Sequence, residues 1–382
     1  MVGVQDREAK TAVRRFPAPV VDLRVLELNP NSLAAASAQS GLLQLADILA
    51  CPRCSGDLEF FLDLLECKCC GSRFASDSGI PQLFFPHDVL YGPFDVTQKV
   101  KDFYDAHPFP KYDDADSRDS LREQMSTSPV ARLLNEHLPS NALILDAGSG
   151  TGHLANFLAL EKNRQVIGAD LSLKSLQHAK RFKDRCGIAN GGFLQMNLFR
   201  PPFRKAVFDV VIASSVLHHT SDPFLGFSSL ASLLKPDGLF VLSLYNPLGR
   251  AGNDLRRTFH RLSKDKLAFL RWRSEKQRGR FLQRYKQPHE SRHFLGEIAN
   301  EWFAAQEFEF LYSSPRIGSK QLSGGEDLRY ARWPGDRAMQ FQTELGMLVR
   351  GLVNDGVFVM IGRNKSRPKQ IEAPNLSNSA VA

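Results

Sequence analysis

Five of the six cysteines of this 382-residue chain fall in one stretch, CPRCSGDLEFFLDLLECKCCG over 51–71. Cys51, Cys54, Cys67 and Cys70 are spaced C-x2-C-x12-C-x2-C. Two such knuckles can bring four thiolates to about 2.3 Å from one Zn²⁺ in tetrahedral geometry. The metal then supplies folding energy that a unit of about 40 residues cannot collect from its core alone. Cys69 could stand in for Cys67 or Cys70 within CKCC, but the x2 spacing favours those two. Four protein ligands close the shell, so the expected zinc is structural. A second group of residues is LILDAGSGTGHLA, with Gly148, Gly150 and Gly152 directly after an apolar run. Glycine there lets the backbone turn sharply and a ligand approach without a Cβ in the way. His153 stands where a dinucleotide fingerprint wants its third glycine, which argues against a nicotinamide site. A third is VLHHTSDP, where His218 or His219 could take a proton from a substrate.

The elements needed to position these residues can be read from periodicity. ALILDAG, QVIGADL, GGFLQMN, VFDVVIASS and GLFVLSLYN read as strands, and HLANFLAL, SLKSLQHAKRFKDRC and DPFLGFSSLASLL as the helices between them. That alternation predicts a parallel sheet with right-handed crossovers. Gly238, after Lys235-Pro236-Asp237, reads as a turn ahead of the fifth strand. Ser128 and Pro129 open a helix over SPVARLLNEHL. Further apolar runs at 308–318 and 356–365 read as two more strands. Asp146 and Asp170 close the first two strands. A carboxylate at the glycine loop suits a cationic ligand group, and one at the end of the second strand can accept both ribose hydroxyls.

At 43% hydrophobic residues the chain can bury a core. No run reaches the roughly 18 apolar residues of a membrane span, and the first residues lack the apolar centre of a signal peptide. These features lead us to expect a soluble cytoplasmic protein. The net charge of +8 is local: residues 250–293 hold 14 Lys and Arg against 4 Asp and Glu. Such a run is either a solvated helical face or a surface for phosphate, nucleic acid or an acidic partner.

In order, strand-DAGSGTG, strand-GADLS, MNLFRPPF, FDVVIASSVLHHTSDP and LLKPDGLFVLS resemble the motifs of class I S-adenosylmethionine-dependent methyltransferases, over residues 141–246. The resemblance implies a Rossmann-like α/β fold with a seven-stranded sheet, the seventh strand antiparallel beside the sixth. It implies that Asp146, Gly148 and Gly150 hold the methionine part of S-adenosylmethionine. Asp170 would take the ribose, with Leu171 beside it in the cofactor site, and Asn197 with the Leu198 amide would take the adenine. Ser214 would lie near the methionine carboxylate or the sulfonium. Many relatives have Asp where this chain has Asn197. The cysteine segment in turn resembles the zinc-ribbon activators of tRNA, rRNA and translation-factor methyltransferases, here fused ahead of the enzyme.

The expected organisation is an arm over 1–47, a small zinc-ribbon domain over 48–87, and a connector that covers the cofactor over 88–140. The methyltransferase domain then runs over 141–367 with helical insertions at about 249–305 and 319–354, and a disordered tail follows from 368 to 382. Tyr104 and Tyr112 are candidates for closing over the cofactor. The chain lacks the Pro-Pro motif of amino methyltransferases after the fourth strand, and VLHH looks like enzymes acting on small molecules and quinone-type precursors. The leading expectation is therefore a methyltransferase for a small or conjugated acceptor, with His218 as base or acceptor-orienting residue. The alternatives are an RNA methyltransferase that uses the basic segment and the ribbon, and a cofactor-binding scaffold without catalysis.

Overall fold

The computed structural model describes residues 45–61, 63–87, 96–110, 112, 116–262, 287–317, 328–354 and 356–366. The expected arm up to residue 44, the expected tail and most of the basic run, with Phe269, Trp272, Phe281 and Tyr285, lie outside the described residues, while residues 45–47, expected in the arm, are ordered, with Leu45 in the buried core. Strands β1 (Leu58–Phe60), β2 (Leu64–Cys67), β3 (Arg73–Asp77) and β4 (Ile80–Leu83) form the cysteine unit. Helices α1 (Thr97–Ala106), α2 (Arg118–Ser126) and α3 (Pro129–His137) lead from it to the larger sheet. That sheet comprises β5 (Leu143–Ala147), β6 (Gln165–Asp170), β7 (Gly191–Met196), β8 (Phe208–Ser214), β9 (Leu234–Tyr245), β10 (Phe308–Ser314) and β11 (Val357–Asn364).

Its seven strands run in the order β7-β6-β5-β8-β9-β11-β10. Strands β5 to β9 are parallel, and β11 is antiparallel to both β9 and β10. This is the Rossmann-like α/β arrangement expected from the sequence. Every second residue of β5 faces the same side: Ile144 packs in one buried cluster, and Leu145 and Ala147 in the other. The first crossover helix, α4 (His153–Leu158), starts on Gly152 without a side-chain cap, and the next two begin on one. Ser172 accepts from Ser175 N at the start of α5 (Leu173–Arg185), and Asp222 from Leu225 N at the start of α6 (Pro223–Ala231).

Two features depart from the sequence reading. Residues 235–238 are not a turn before the fifth strand. They lie inside β9 as a bulge, with pairing that steps from Phe208↔Leu234 to Val210↔Leu239 and Asp237 at φ 61°. The cysteine unit also shares the larger sheet. β4 pairs in parallel with β7 through Gln82↔Gln195 and Leu83↔Met196, so one sheet runs through eleven strands. Leu45, Leu49, Leu65, Cys67 and Phe74 belong to the same buried cluster as Ala147, Phe208 and Val211. Arg204 fastens the seam, donating to Asp47 O at 3.0 Å and to Asp57 Oδ1 at 2.6 Å.

The insertions add α7 (Pro247–Leu262), a helical segment of Leu295–Glu297, Ile298–Trp302 and Phe303–Ala305 with a π turn at its centre (α8), and α9 (Arg337–Asn354).

Candidate functional site

The carboxyl ends of β5, β6 and β8 meet at one edge, where a doubly wound sheet binds its ligands. The loop after β5 is held by backbone. Gly148 N donates to Ala169 O at 2.7 Å and Ser149 N to the same oxygen at 3.0 Å. Gly148 has φ 80°, and a Cβ there would lie 2.4 Å from a Val216 methyl. Gly150 N donates to Asp170 Oδ2 at 2.8 Å, while Ser172 N donates to Asp170 Oδ1 at 2.8 Å. Asp170 is thus aimed by two amides, one from the loop after each strand. Gln195 Nε2 donates to Leu171 O at 2.8 Å, which fixes the backbone next to it. Burial raises the pKa of Asp170, opposed by the amides of Ser172, Gly150 and Leu171.

Asp146 lies behind the loop, 3% exposed, and its pKa is raised to about 7 by burial and then by the Asp170 carboxylate. A buried carboxyl with an acidic neighbour stands to gain from a cation, which suits the ammonium of the methionine part. The residues around the loop therefore fit S-adenosylmethionine. Asn197 is committed elsewhere: Nδ2 donates to Phe85 O at 3.0 Å and lies 3.2 Å from His87 Nδ1, and Oδ1 accepts from Phe199 N at 3.0 Å. It ties the exit of the cysteine unit to the end of β7. An adenine contact through this side chain would rest on the remaining lone pair of Oδ1. Leu198 packs against the core cluster. Ser214 is exposed at the end of β8, with Oγ 3.2 Å from Ser243 Oγ.

Helix α1 brings the two halves of the site together. Tyr104 raises its pKa through burial and through the nearby Tyr245, Asp170 and Glu290, and its ring centroid is 6.2 Å from that of His219. Asp105 Oδ1 accepts from Ser172 Oγ at 2.7 Å. Tyr112 instead lies stacked between His153 and Phe182, at 3.9 and 4.1 Å between centroids, and its hydroxyl accepts from Asn156. It supports the helices behind the glycine loop.

Leu217, His218 and His219 form a single 3-10 turn after β8. Leu217 is buried in the core. His218 is fully buried, 4.0 Å from the Tyr245 ring and 4.2 Å from His219. Among the described residues, neither of its ring nitrogens has a hydrogen-bond partner. Burial, then His219, Arg250, His293 and His289, hold its pKa well below the usual imidazole range, so it is neutral. His219 is pushed down to about 4 by burial, and its Nδ1 lies 2.8 Å from His289 O.

Residues 287–293 form a strap over this turn: Ser291 N donates to His218 O at 2.8 Å and His293 N to Tyr245 O at 2.9 Å. Beneath it Arg250 and Glu290 form a buried bidentate pair at 3.1 and 3.0 Å, each side chain 2% exposed, with the guanidinium 4.0 Å over the Tyr245 ring. Arg292 reaches Glu290 Oε1 at 3.2 Å and Asp254 Oδ1 at 2.6 Å. Local spacing gives no signal for this pair, since 40 residues separate Arg250 from Glu290.

In the cysteine unit, the Sγ atoms of Cys51, Cys54, Cys67 and Cys70 all lie within 4.8 Å of one another. Cys51 and Cys70 are 3.7 Å apart, Cys54 and Cys67 3.4 Å. Four ligands about 2.3 Å from a tetrahedral centre would be about 3.8 Å apart, so the cluster is compatible with zinc. Cys69 is exposed and outside it. Among the described residues, no helix is long and apolar enough to cross a membrane.

Residues 145–242 match the family described as Methyltransferase domain. The chain is similar to an uncharacterized protein of Synechococcus sp., 33% identical over 175 residues, covering 42% of this chain and 39% of that protein. It resembles the mitochondrial arginine-hydroxylase NDUFAF5 of Danio rerio, 31% identical over 130 residues, 34% of this chain and 38% of the relative. It also resembles the tRNA 5-carboxymethoxyuridine methyltransferase of Escherichia coli, 30% identical over 135 residues, 35% of this chain and 51% of that enzyme. The chain thus spans between about two fifths and one half of the length of these relatives.

Proposed function

Because residues 145–242 match a methyltransferase-domain family and the sheet is Rossmann-like, we propose that this chain is a class I methyltransferase that transfers a methyl group from S-adenosylmethionine to a small or conjugated acceptor. The observation that carries this reading is Tyr104, which stands between Asp170 on the glycine-loop side and His219 with Tyr245 on the other. In this reading Tyr104 is the wall common to the nucleoside and the acceptor. S-adenosylmethionine supplies an already activated methyl on its sulfonium, so holding the acceptor in line accounts for much of the rate.

In this reading Asp146 faces the ammonium, the amides around Gly148 and Gly150 set the loop, and Asp170 with Leu171 takes the ribose. Leu198 and Asn197 border the adenine, and Ser214 lies toward the methionine end. His218 and Tyr245 line the acceptor side. A neutral imidazole offers one donor and one acceptor, and His218 has both uncommitted. With its pKa this low it is a weak base, so we assign it to orienting the acceptor. The four cysteines hold a structural zinc that stiffens β1 to β4 and, through β4, the edge of the sheet at β7.

The test is calorimetry with S-adenosylmethionine followed by transfer of labelled methyl into a fractionated extract, scored in RNA, protein, and lipid or small-molecule pools. Binding weakened by Asp170→Ala, with label in the last pool, is the expected result. Binding without label in any pool returns the scaffold reading. An RNA acceptor is the second reading, supported by the resemblance to a tRNA methyltransferase and by the basic run over 250–293. Label in RNA, with binding that falls steeply with salt, would establish it instead.

A further inference from the structure

Helices α7 and α9 pack against each other, and both reverse the usual order of a surface helix. α9 buries Gln340 and Glu344 and exposes Phe341, Leu345, Leu348 and Val349, at 54%, 45%, 45% and 77%. At about 100° per residue those four apolar side chains fall on one stripe. α7 likewise buries Arg250 and Asn253 while Leu255 and Leu262 are 74% and 78% exposed.

The buried polar side chains have uses. Arg250 pairs with Glu290 beside Tyr245, Glu344 accepts from Leu295 N, and Gln340 bonds Asn300 and the carbonyls of Pro334 and Gly335. Serving those contacts turns the apolar side of each helix to solvent, where isolated leucines are ordinary but a stripe of four residues is not.

The charge around the stripe identifies what it fits. The exposed residues of α9 include Arg337 and no acid, with exposed Asp336 capping its first turn by accepting from Met339 N; those of α7 include Arg256 and no acid, and Asp254 is only partly exposed and paired with Arg292. The sequence that follows Leu262 is basic too, with nine Lys and Arg against two acids over 263–286. A nucleic acid would use the arginines and leave the leucines unexplained. A second copy or an apolar protein would use the leucines and has no need of the charge. Apolar side chains flanked by arginines match an anionic lipid surface, whose acyl boundary takes the first and whose headgroups take the second.

We propose that the outward faces of α7 and α9 dock this protein on anionic membranes, lying on the bilayer without crossing it. The surface is separate from the methyl-transfer reading and needs neither cofactor nor acceptor.

The test is sedimentation of the full chain with vesicles of phosphatidylcholine alone and of phosphatidylcholine mixed equally with phosphatidylglycerol. The chain should pellet with the mixed vesicles and stay largely in solution with the neutral ones. Leu345→Ser/Val349→Ser should lower the partition coefficient about tenfold or more, since two inserted side chains are lost. Arg256→Gln should narrow the gap between the two vesicle types. Thermal unfolding of each variant separates loss of docking from loss of fold, the sites being exposed. No pelleting with either vesicle, or equal pelleting by Leu345→Ser/Val349→Ser, overturns the proposal. It is also overturned if the chain self-associates in solution, the serine variant is monomeric and vesicles retain neither.

Discussion

The glycine-loop side and the histidine side of the pocket are built on opposite terms. On the first, the groups that shape the site bond within a short span of chain: Gly148 and Ser149 to Ala169, Gly150 and Ser172 to Asp170. On the second, His218 has no hydrogen-bond partner for either nitrogen among the described residues, and its wall depends on Arg250, Glu290 and the strap 287–293, which arrive from an insertion. In the reading proposed above, the first side takes the nucleoside and can be finished in advance because that ligand never varies, while the second takes the acceptor, with polar capacity at His218 and a shape held by a buried ion pair.

That contrast predicts which side each perturbation affects. The largest effect should come from Glu290→Ala, which strands Arg250 as a buried, less compensated charge and costs about 3–5 kcal/mol. Chemical denaturation should show that loss, while S-adenosylmethionine binding per folded molecule survives. Equal damage to both would mean the two sides are one unit. Next, Gly148→Ala forces a Cβ against Val216 at a left-handed φ, and should cost about 1–3 kcal/mol and most of the cofactor affinity.

His218→Phe should leave cofactor affinity within about twofold and lower turnover by roughly ten- to a hundredfold, if orientation is its role. Full turnover would remove His218 from the mechanism. The smallest effect concerns Asp146. Its pKa in the folded protein is raised to about 7, so below that pH it is increasingly protonated and offers an ammonium no charge. Affinity for S-adenosylmethionine should rise with pH from 6 toward 8 by up to roughly tenfold, then level off. Calorimetry in buffers of different protonation enthalpy should detect proton release at neutral pH. The same raised pKa means that Asp146 in the cofactor-free protein favours folding least once ionised, so Asp146→Asn should be the more stable form at pH 8.

Much of this was legible in the residues. The order of apolar runs gave the strands of the larger sheet, since a strand buried on both faces must be continuously apolar, and DAGSGTG followed by GADLS marked the loop and its acid. The C-x2-C spacing identified four of the five clustered cysteines that converge. Lys235–Gly238 misled because Pro, Asp and Gly signal a turn, and a bulge inside a strand uses the same backbone conformations. Asn197 was a motif position whose side chain serves the seam with the cysteine unit, a neighbour more than 100 residues earlier in the chain.

What the sequence determined by itself is whatever depends on short spacing. A glycine loop, a strand-end acid, a capped helix and two metal knuckles each bring their atoms together within at most 20 residues of chain, where few conformations compete. Only the tertiary structure decided the rest. It joined β4 to β7 as one sheet, set Arg250 on Glu290 under the strap, and turned the apolar stripe of α9 outward. Those outcomes depend on which surfaces compete for burial, and that competition is settled by packing across the whole chain.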